Sequence, residues 1–268
     1  MAARMYWLHA VTPLHVGSGR GVGFIDLPIM REAVTKWPYV PGSAFKGVLT
    51  DENQATPTLR RLDTKPNSKI RSAFGVRDNP DDSTQKTGLA GSLVFTDARL
   101  VCLPVRSLYG TFAWCTSQLA LQRLARDLRQ VKVSGVPPVN PVDVADNQQI
   151  RLTPESVLDA NGKVYVEDLD FTPTKPLPNM TGDPTAAVWA SFLAQTIFPG
   201  PSAESTAWQA EFRKRFAIVS NNVFDFLSEM ATEVVARVCL EDDTKIVKDG
   251  ALWYEESLPT ESILAGCV

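Results

Sequence analysis

Long hydrophobic runs are missing from this 268-residue chain, and no stretch approaches the ~18–20 apolar residues that cross a bilayer. The N-terminus enters a strand-like pattern directly, which predicts no secretory signal peptide. Histidine occurs only as His9 and His15, and the four cysteines have no CxxC spacing, so a zinc site is not expected. We interpret the cysteines as reduced core residues of a cytoplasmic protein that does not contact a membrane.

The usual nucleotide-binding glycine motifs are absent too. Glycine occupies positions 17, 19, 21 and 23, but this register fits neither GxGxxG nor GxxxxGK[ST]. Taken alone, the cluster is as typical of a flexible turn as of backbone that approaches an anion closely, since no Cβ intervenes. A small-molecule enzyme that holds a nucleotide in this turn remains an alternative.

The composition is that of an ordinary globular protein, 44% apolar and 21% charged, which can bury a substantial core. The net charge is −3, but it is unevenly distributed. Residues 1–77 contain 11 Lys and Arg against 5 Asp and Glu, whereas residues 225–268 contain 3 against 10. A basic face that binds an anion, an acidic end that meets a neighbouring copy and merely uneven surface charge all fit this pattern.

Strand-like and helical patterns mix along the chain without regular βαβ alternation, which favours an α+β fold over a doubly wound parallel sheet. Strands are predicted over 4–16, 91–105, 163–168, 233–240, 251–255 and 262–268. Helices are predicted over 43–53, 67–74, 116–130, 186–197, 205–217 and 222–230. The polar or proline-rich segments 77–88, 134–154 and 172–184 indicate loops, and no linker divides residues 1–268, which predicts a single domain.

Residues 11–49 are the most informative segment, because four features follow one another there. A strand enters the glycine-rich turn, which carries Arg20, and Asp26 follows in an apolar setting. Ser43 is then predicted to cap a helix whose first turn carries Lys46, and that side chain points towards the helix N-terminus, where anions bind. Together these features predict a clamp for a phosphate chain with one acidic residue beside it.

This segment resembles the backbone subunit of type III-B (Cmr-type) CRISPR effector complexes, in the RAMP superfamily. The resemblance is carried by TPLHVGSG from Thr12, IDLPIMRE from Ile25 and PYVPGSAFKG from Pro38. A second block, from Gly91 through Trp114, is similar to the same group in the same order.

The resemblance implies a ferredoxin-like (RRM-like) RAMP core with inserted hairpins and loops at approximately 77–88, 131–160 and 172–184. In this family one insertion acts as a thumb hairpin that intrudes between bases. The family also continues past the final strand into a further glycine-rich segment, whereas this chain stops at Cys267-Val268.

The resemblance further implies that copies of the chain line up on a guide RNA (crRNA), with other effector subunits, and cleave the paired target RNA at regular intervals. The family's catalytic carboxylate falls on Asp26, which can hold a divalent cation, Mg²⁺ or Mn²⁺, or act as a general base. His15 and Glu255 are further catalytic candidates. Contacts to RNA are expected from Gly17, Ser18, Gly19, Arg20, Arg31, Ser43, Lys46, Arg106 and Ser107.

Each candidate also has a structural alternative. Asp26 can be a turn residue bonded to its own backbone, and His15 a half-buried histidine. Glu255 can be an exposed strand end and Lys46 a solvated side chain, while core packing is favoured for Trp114 over stacking on bases. The alternative function is a catalytically inert RNA-binding scaffold in the same complex.

Overall fold

The computed structural model of the protein describes residues 3–19, 21, 23–55, 69–76, 89–139, 147–174, 184–241, 243–244 and 246–268. Arg20, the expected insertion at 77–88 and parts of the other two expected insertions lie outside these described residues.

The described chain alternates irregularly between strands and helices. The strands are β1 (Met5–His9), β2 (Tyr39–Val40), β3 (Gly75–Val76), β4 (Leu89–Ala90), β5 (Ala98–Arg106), β6 (Phe112–Ser117), β7 (Gln149–Leu152), β8 (Val164–Val166), β9 (Leu169–Pro173), β10 (Phe216–Val219), β11 (Glu233–Leu240), β12 (Val247–Ser257) and β13 (Ile263–Cys267). The helices are α1 (Gly42–Ala55), α2 (Lys69–Phe74), α3 (Gln118–Gln130), α4 (Pro184–Ile197), α5 (Ala203–Arg215) and α6 (Asn221–Met230).

One large, mostly antiparallel sheet organises the molecule, in the strand order β1-β13-β5-β6-β10-β7-β9-β8, with β2 paired to the start of β5. Two of its pairs are parallel, β6 with β10 and β7 with β9. The first of these needs a crossover, which α3, α4 and α5 supply. Backbone hydrogen bonds of Leu108 to Tyr165 (3.1 Å) and of Glu167 to Arg106 (2.9 Å) then return β8 to the end of β5, so these strands close into a ring. The α+β prediction is confirmed.

Helix α3 shows how the sequence determines a local element. The Ser117 side chain accepts a hydrogen bond from the Ala120 amide and caps the helix, and Arg129 lies in the last turn, where a cation suits the helix dipole. The apolar residues repeat every three or four positions, which places them on one buried stripe. That stripe consists of Leu121, Leu124, Ala125 and Leu128, with Ala120.

The hydrophobic core lies on both sides of the sheet. On one side α3, α4 and α5 cover a cluster that includes Trp114, Trp189 and Phe212, all fully buried. On the other side α6 and Trp37 pack over the strands of the ring. Each such large side chain contributes roughly 1.5–3 kcal/mol of transfer free energy when it leaves water, so these two clusters hold the sheet together. The preference for core packing at Trp114 is confirmed.

Several predicted boundaries are wrong where short strands are buried. The predicted strand 4–16 ends at His9, and the strand predicted from residue 91 begins at Ala98. Strand β7 lies inside the segment interpreted as an irregular loop, and β10 begins inside the predicted helix 205–217. Strand β10 is fully buried in the middle of the sheet, so all four of its side chains are apolar and no alternation identifies it. Strand β7 does alternate between polar and apolar side chains, but over only four residues, at the lower limit for a periodic signal.

Strands β11 and β12 form a separate two-stranded hairpin, with Val235 opposite Glu255. The prediction for β11 is confirmed, whereas β12 is longer than predicted at both ends. Much of the hairpin is exposed, but residues 256–258 at its base are buried. None of the helices in the described part of the chain is both long and apolar enough to cross a bilayer.

Candidate functional site

The segment that carries Asp26 is a loop closed by its own backbone, and we call residues 16–30 the Asp26 loop. The Met30 amide donates to the Val16 carbonyl (2.7 Å), and the Ser18 amide donates to the Pro28 carbonyl (2.9 Å). A bridge between positions 17 and 29 completes this short antiparallel pair. The tip of the loop is therefore held at its two ends, and the Ser18 amide, expected to cradle a phosphate, is already bonded within the protein.

Two glycines of the loop have a conformation that favours glycine. Gly19 has a φ of 76° and Gly23 a φ of 62°, both in the left-handed region. Both residues are exposed, and a Cβ added to either one would meet no atom within 4 Å. Their role in the described structure is therefore conformational freedom at the tip, and phosphate contact by Gly19 stays a prediction.

Asp26 is attached to strand β12. Its Oδ2 atom accepts a hydrogen bond from the Tyr254 amide at 2.8 Å, between residues 228 positions apart in the sequence. The next residue continues the attachment: the Leu27 amide donates to the Tyr254 carbonyl and the Leu27 carbonyl accepts from the Glu256 amide, both at 3.0 Å. Asp26 is thus not a turn residue bonded to its own backbone. Its side chain is exposed, and no described residue hydrogen-bonds to its Oδ1 atom.

His15 is attached to the same strand edge. Its Nδ1 atom lies 2.6 Å from the Glu256 carbonyl oxygen. A carbonyl can only accept, so Nδ1 carries the proton, and in the neutral ring the lone pair is on Nε2. The edge of the ring that carries Nε2 lies close to Gly17, where an added Cβ would be 2.8 Å from Nε2. Glycine at position 17 therefore leaves the space that the His15 ring occupies.

Sequence analysis singled out Glu255, but the buried acid is its neighbour. Glu255 Oε2 lies 3.4 Å from Arg237 Nε across the hairpin. Glu256 is only 3% exposed and accepts hydrogen bonds from the Ile29 amide (3.0 Å), Arg31 (2.5 Å) and Thr232 (2.9 Å). Neighbouring strand residues point to opposite faces, so the pair Glu-Glu after Trp-Tyr was a signal that one of the two acids faces inwards.

Arg31 was predicted to contact RNA, and its guanidinium is already engaged by the protein. Besides Glu256 it donates to the Lys36 carbonyl (2.9 Å) and to the Ser228 carbonyl (2.8 Å). Its side chain is 20% exposed. These contacts support a role in holding the Asp26 loop, and a direct contact of Arg31 with RNA stays a prediction.

The segment after the loop is fixed to α3 and α6 by further polar contacts. Arg123 donates to both carboxylate oxygens of Glu32, at 2.9 and 2.5 Å. Burial alone would raise the pKa of Glu32, but the hydrogen bonds from Arg123 and Thr35 outweigh it and hold that pKa below its usual value. Trp37 is buried under Arg123 and donates through Nε1 to Asp225 at 2.5 Å.

The prediction that Ser43 caps helix α1 is wrong. The helix begins at Gly42, whose amide donates to Asp97 Oδ1 at 2.9 Å. The helix N-terminus thus meets a carboxylate of the protein where the sequence suggested an external anion. Lys46 Nζ donates to the Leu93 carbonyl at 3.0 Å, which leaves further N–H groups of this ammonium for a phosphate. RNA contact by Ser43 and Lys46 stays a prediction.

Arg106 and Ser107 lie at the end of β5, against β8. The Arg106 side chain is 77% exposed and lies 4.0 Å from Glu167. Ser107 is buried and donates to the Tyr165 carbonyl at 2.9 Å. In the described part of the chain no hydrogen bond, ion pair or strand bridge joins these two residues to the Asp26 loop. The structure therefore brings His15, Gly17 and Asp26 to the edge of β12, the strand that contains Glu255. In the described structure, Lys46 and the Arg106 region are not joined to this group.

The donor set near Asp26 is small. No group of three His, Cys, Asp or Glu side chains able to hold a metal ion occurs among the described residues. Mg²⁺, however, is often bound through one or two carboxylates, with water and phosphate oxygens as its other ligands. An exposed carboxylate with one unbonded oxygen fits that mode of binding, in which the nucleic acid completes the coordination.

The sequence matches a known protein family. The sequence profile of the RAMP superfamily matches residues 7–266. The chain is 30% identical over 267 residues to the CRISPR system Cmr endoribonuclease Cmr4 of Pyrococcus furiosus, which covers 98% of this chain and 80% of that protein.

Solved structures show the same fold. The crystal structure of oligomeric Cmr4 from Pyrococcus furiosus has a TM-score of 0.67 and 24% identity, covering 100% of this chain and 80% of that one. The cryo-EM structure of the type III-B Cmr-beta complex bound to cognate target RNA contains a chain with a TM-score of 0.64 and 18% identity, covering 99% of this chain and 82% of that one. The chain belongs to the RAMP superfamily.

Proposed function

We propose that this protein is a repeated backbone subunit of a cytoplasmic type III-B CRISPR ribonucleoprotein, and that it cleaves guide-paired target RNA at regular intervals. The observation that carries the proposal is the exposed Asp26 carboxylate, held on β12 next to His15 in a chain whose relative is named an endoribonuclease. Its partners are the crRNA, the target RNA, other copies of itself and other effector subunits, with one RNA-binding domain over the whole chain. Specificity comes from guide–target pairing rather than from side chains.

Guide binding and target cleavage use different parts of the molecule. Guide RNA is gripped through its phosphates, which requires exposed cations that do not depend on base sequence. Arg106, with 77% of its side chain exposed, and Lys46 on α1 are the cations in the described residues that best suit this role. Target RNA lies across the Asp26 loop, where the candidate catalytic groups meet.

The reaction is attack of the target's own 2′-oxygen on the adjacent phosphorus. The new P–O bond forms in line with the P–O5′ bond that breaks, and the products are a 2′,3′-cyclic phosphate and a 5′-hydroxyl. His15 Nε2, the lone-pair nitrogen of the neutral ring, accepts the proton of the 2′-hydroxyl, and solvent water gives a proton to the leaving 5′-oxygen. Asp26 would hold a divalent cation, Mg²⁺ or Mn²⁺, and that cation would supply charge stabilisation to the reaction. Glu255 borders the site, and its carboxylate lies 3.4 Å from Arg237.

The test is cleavage of target RNA by the assembled, guide-loaded complex with Mg²⁺, wild type against Asp26→Ala. We expect evenly spaced products from the wild type and none from the variant, with binding of guide and target retained. Asp170→Ala is the matched control, since this exposed carboxylate pairs only with Lys163 in the described structure and should leave cleavage unchanged.

Three outcomes separate the possibilities. Identical products from wild type and Asp26→Ala would contradict a catalytic role for Asp26. No products from either complex, with guide binding intact, would make the protein an inert scaffold. Full cleavage after chelation of divalent ions would remove the cation from the mechanism and leave the nuclease assignment in place.

A further inference from the structure

One edge of strand β12 serves both candidate catalytic residues. Four backbone groups of residues 254 and 256 point to the side of the strand opposite β11, and all four are bonded to the candidate site. The Tyr254 amide donates to Asp26, and the Glu256 carbonyl accepts from His15. The Tyr254 carbonyl and the Glu256 amide both bond to Leu27. Residues two apart in a strand are roughly 7 Å apart, so this edge sets the spacing of the two catalytic side chains.

The side chain of Glu256 holds the other side of the loop. Its Oε2 atom accepts from the Ile29 amide, and its Oε1 atom accepts from Arg31 and from Thr232. Glu256 thus bonds to the Asp26 loop at two positions. Its backbone amide bonds to Leu27, and its carboxylate bonds to Ile29. The same residue carries the carbonyl that orients the His15 ring.

The buried carboxylate of Glu256 has an energetic cost that an apolar side chain would not have. Removing a carboxylate from water costs several kcal/mol, and an apolar residue of similar volume is often as stabilising at such a site. Burial of Glu256 is compensated here by three donors, one of them the charged Arg31. What the carboxylate provides and a leucine would not is a fixed direction for each of these donors.

We propose that Glu256 is a positioning residue for target-RNA cleavage. Its carboxylate holds the Asp26 loop against β12, so that Asp26 Oδ1 and His15 Nε2 face the same phosphate. Glu256 does not touch the RNA itself, because it is 3% exposed. This inference rests on the proposed function, since it assigns Glu256 a role in the reaction that Asp26 and His15 perform.

The test compares Glu256→Gln with Glu32→Gln in the assembled, guide-loaded complex. Glutamine keeps the volume of Glu256 but turns an NH₂ group towards one of its donors. Glu32 is also a half-buried acid paired with an arginine, but it bonds to α3 and not to β12. We expect the single-turnover cleavage rate per assembled complex to fall about tenfold to a hundredfold in Glu256→Gln, with target binding within about twofold of wild type. Glu32→Gln should cleave at the wild-type rate.

A second readout separates positioning from stability. The full chain has only two histidines, so selective ¹⁵N labelling reports on His9 and His15 alone. In the wild type the neutral His15 ring should be the Nδ1-protonated tautomer, and in Glu256→Gln a mixture of tautomers. A change in stability alone would not alter this signal. If Glu256→Gln does not assemble, Thr232→Val removes one donor to the same carboxylate, and the rate should fall about threefold.

The outcomes also distinguish this inference from the proposed function. Wild-type cleavage by Glu256→Gln (or by Thr232→Val where the first variant does not assemble), together with an inactive Asp26→Ala complex, overturns the positioning role and leaves the nuclease assignment intact. An equal loss of rate in Glu32→Gln overturns it as well. Wild-type cleavage by Asp26→Ala instead contradicts the proposed function itself.

Discussion

The sheet core and the Asp26 loop are stabilised in different ways. The core clusters on both faces of the sheet consist of apolar side chains, many of them fully buried. The Asp26 loop has few such residues and is held by directed polar contacts: Glu256 with Arg31, Asp26 with the Tyr254 amide, and His15 with a carbonyl. Apolar burial is non-directional, whereas a hydrogen bond restricts both the distance and the angle between two groups. The region that needs accurate geometry is therefore the one built from polar contacts.

The largest effect should come from the core. Trp114 is fully buried, and its Nε1 atom donates to the Glu261 carbonyl. Replacement by alanine leaves a cavity and an unpaired carbonyl, so we expect the free energy of unfolding to fall by about 3–5 kcal/mol in urea denaturation. Phe226→Ala is the control, because this ring is 49% exposed and should cost less than about 1 kcal/mol. Similar losses of unfolding free energy in both variants would mean that the cluster around Trp114 does not act as a core.

A smaller effect, with a characteristic pH dependence, should come from Glu32, which joins the segment after the Asp26 loop to α3. The pKa of Glu32 is lowered in the folded protein, because hydrogen bonds from Arg123 and Thr35 outweigh its burial. A carboxylate of this kind stabilises the protein above its unfolded pKa, and the contribution is lost as pH falls through its folded pKa. Glu32→Gln should therefore cost about 1–3 kcal/mol at neutral pH, and the difference from wild type should shrink as acid protonates Glu32.

Urea denaturation of both proteins between neutral pH and about pH 3 measures this difference. A difference that stayed constant across that range would show that Glu32 acts through packing and not through its charge. The segment after the Asp26 loop would then be held by packing, as the core is, and the contrast with the core would be confined to the Asp26 loop itself.

Gly17 offers a change that should affect the site and leave the fold intact. A Cβ at this position would lie 2.8 Å from His15 Nε2, so the ring must move although its Nδ1 atom remains bonded to Glu256. We expect Gly17→Ala to lower the single-turnover cleavage rate about tenfold, with guide binding unchanged. Gly47→Ala is the matched control: an added Cβ there meets no atom within 4 Å, and alanine should stabilise the helix by about 0.5–1 kcal/mol. Equal cleavage rates in Gly17→Ala and Gly47→Ala would contradict a catalytic role for His15.

The smallest effects concern phosphate contacts away from the Asp26 loop. Lys46→Ala and Arg106→Ala should each weaken guide binding and lower the slope of log K against log salt by roughly 0.7. Lys163→Ala is the control, since this side chain is paired with Asp170 and should leave the slope unchanged. Guide affinity measured at several salt concentrations gives the slopes. A slope that did not change for Lys46 would mean that the Leu93 carbonyl and not a phosphate is its partner.

The difference between the two regions also explains what the sequence could predict. Helix α3 was predictable because its cap and apolar stripe lie within the same short segment. Asp26 and His15 were found through motif resemblance, but their partners on β12 are 228 and 241 positions away. No local pattern reports a contact of that length. The Glu-Glu pair indicates that one acid faces inwards, but not that this acid is Glu256 or that it bonds to Ile29 and Arg31, more than 220 positions away. The start of α1 is a similar case, because its partner Asp97 is 55 positions from Gly42.

The most direct test of the account is a structure of the guide-loaded complex with a target RNA that carries a 2′-deoxynucleotide at the cleavage site. Removing the attacking oxygen should prevent cleavage while leaving the backbone in place. We predict that the scissile phosphate lies between Asp26 and His15, with the adjoining 2′-carbon facing His15 Nε2. A scissile phosphate bound elsewhere, with the Asp26 loop free of RNA, would contradict it.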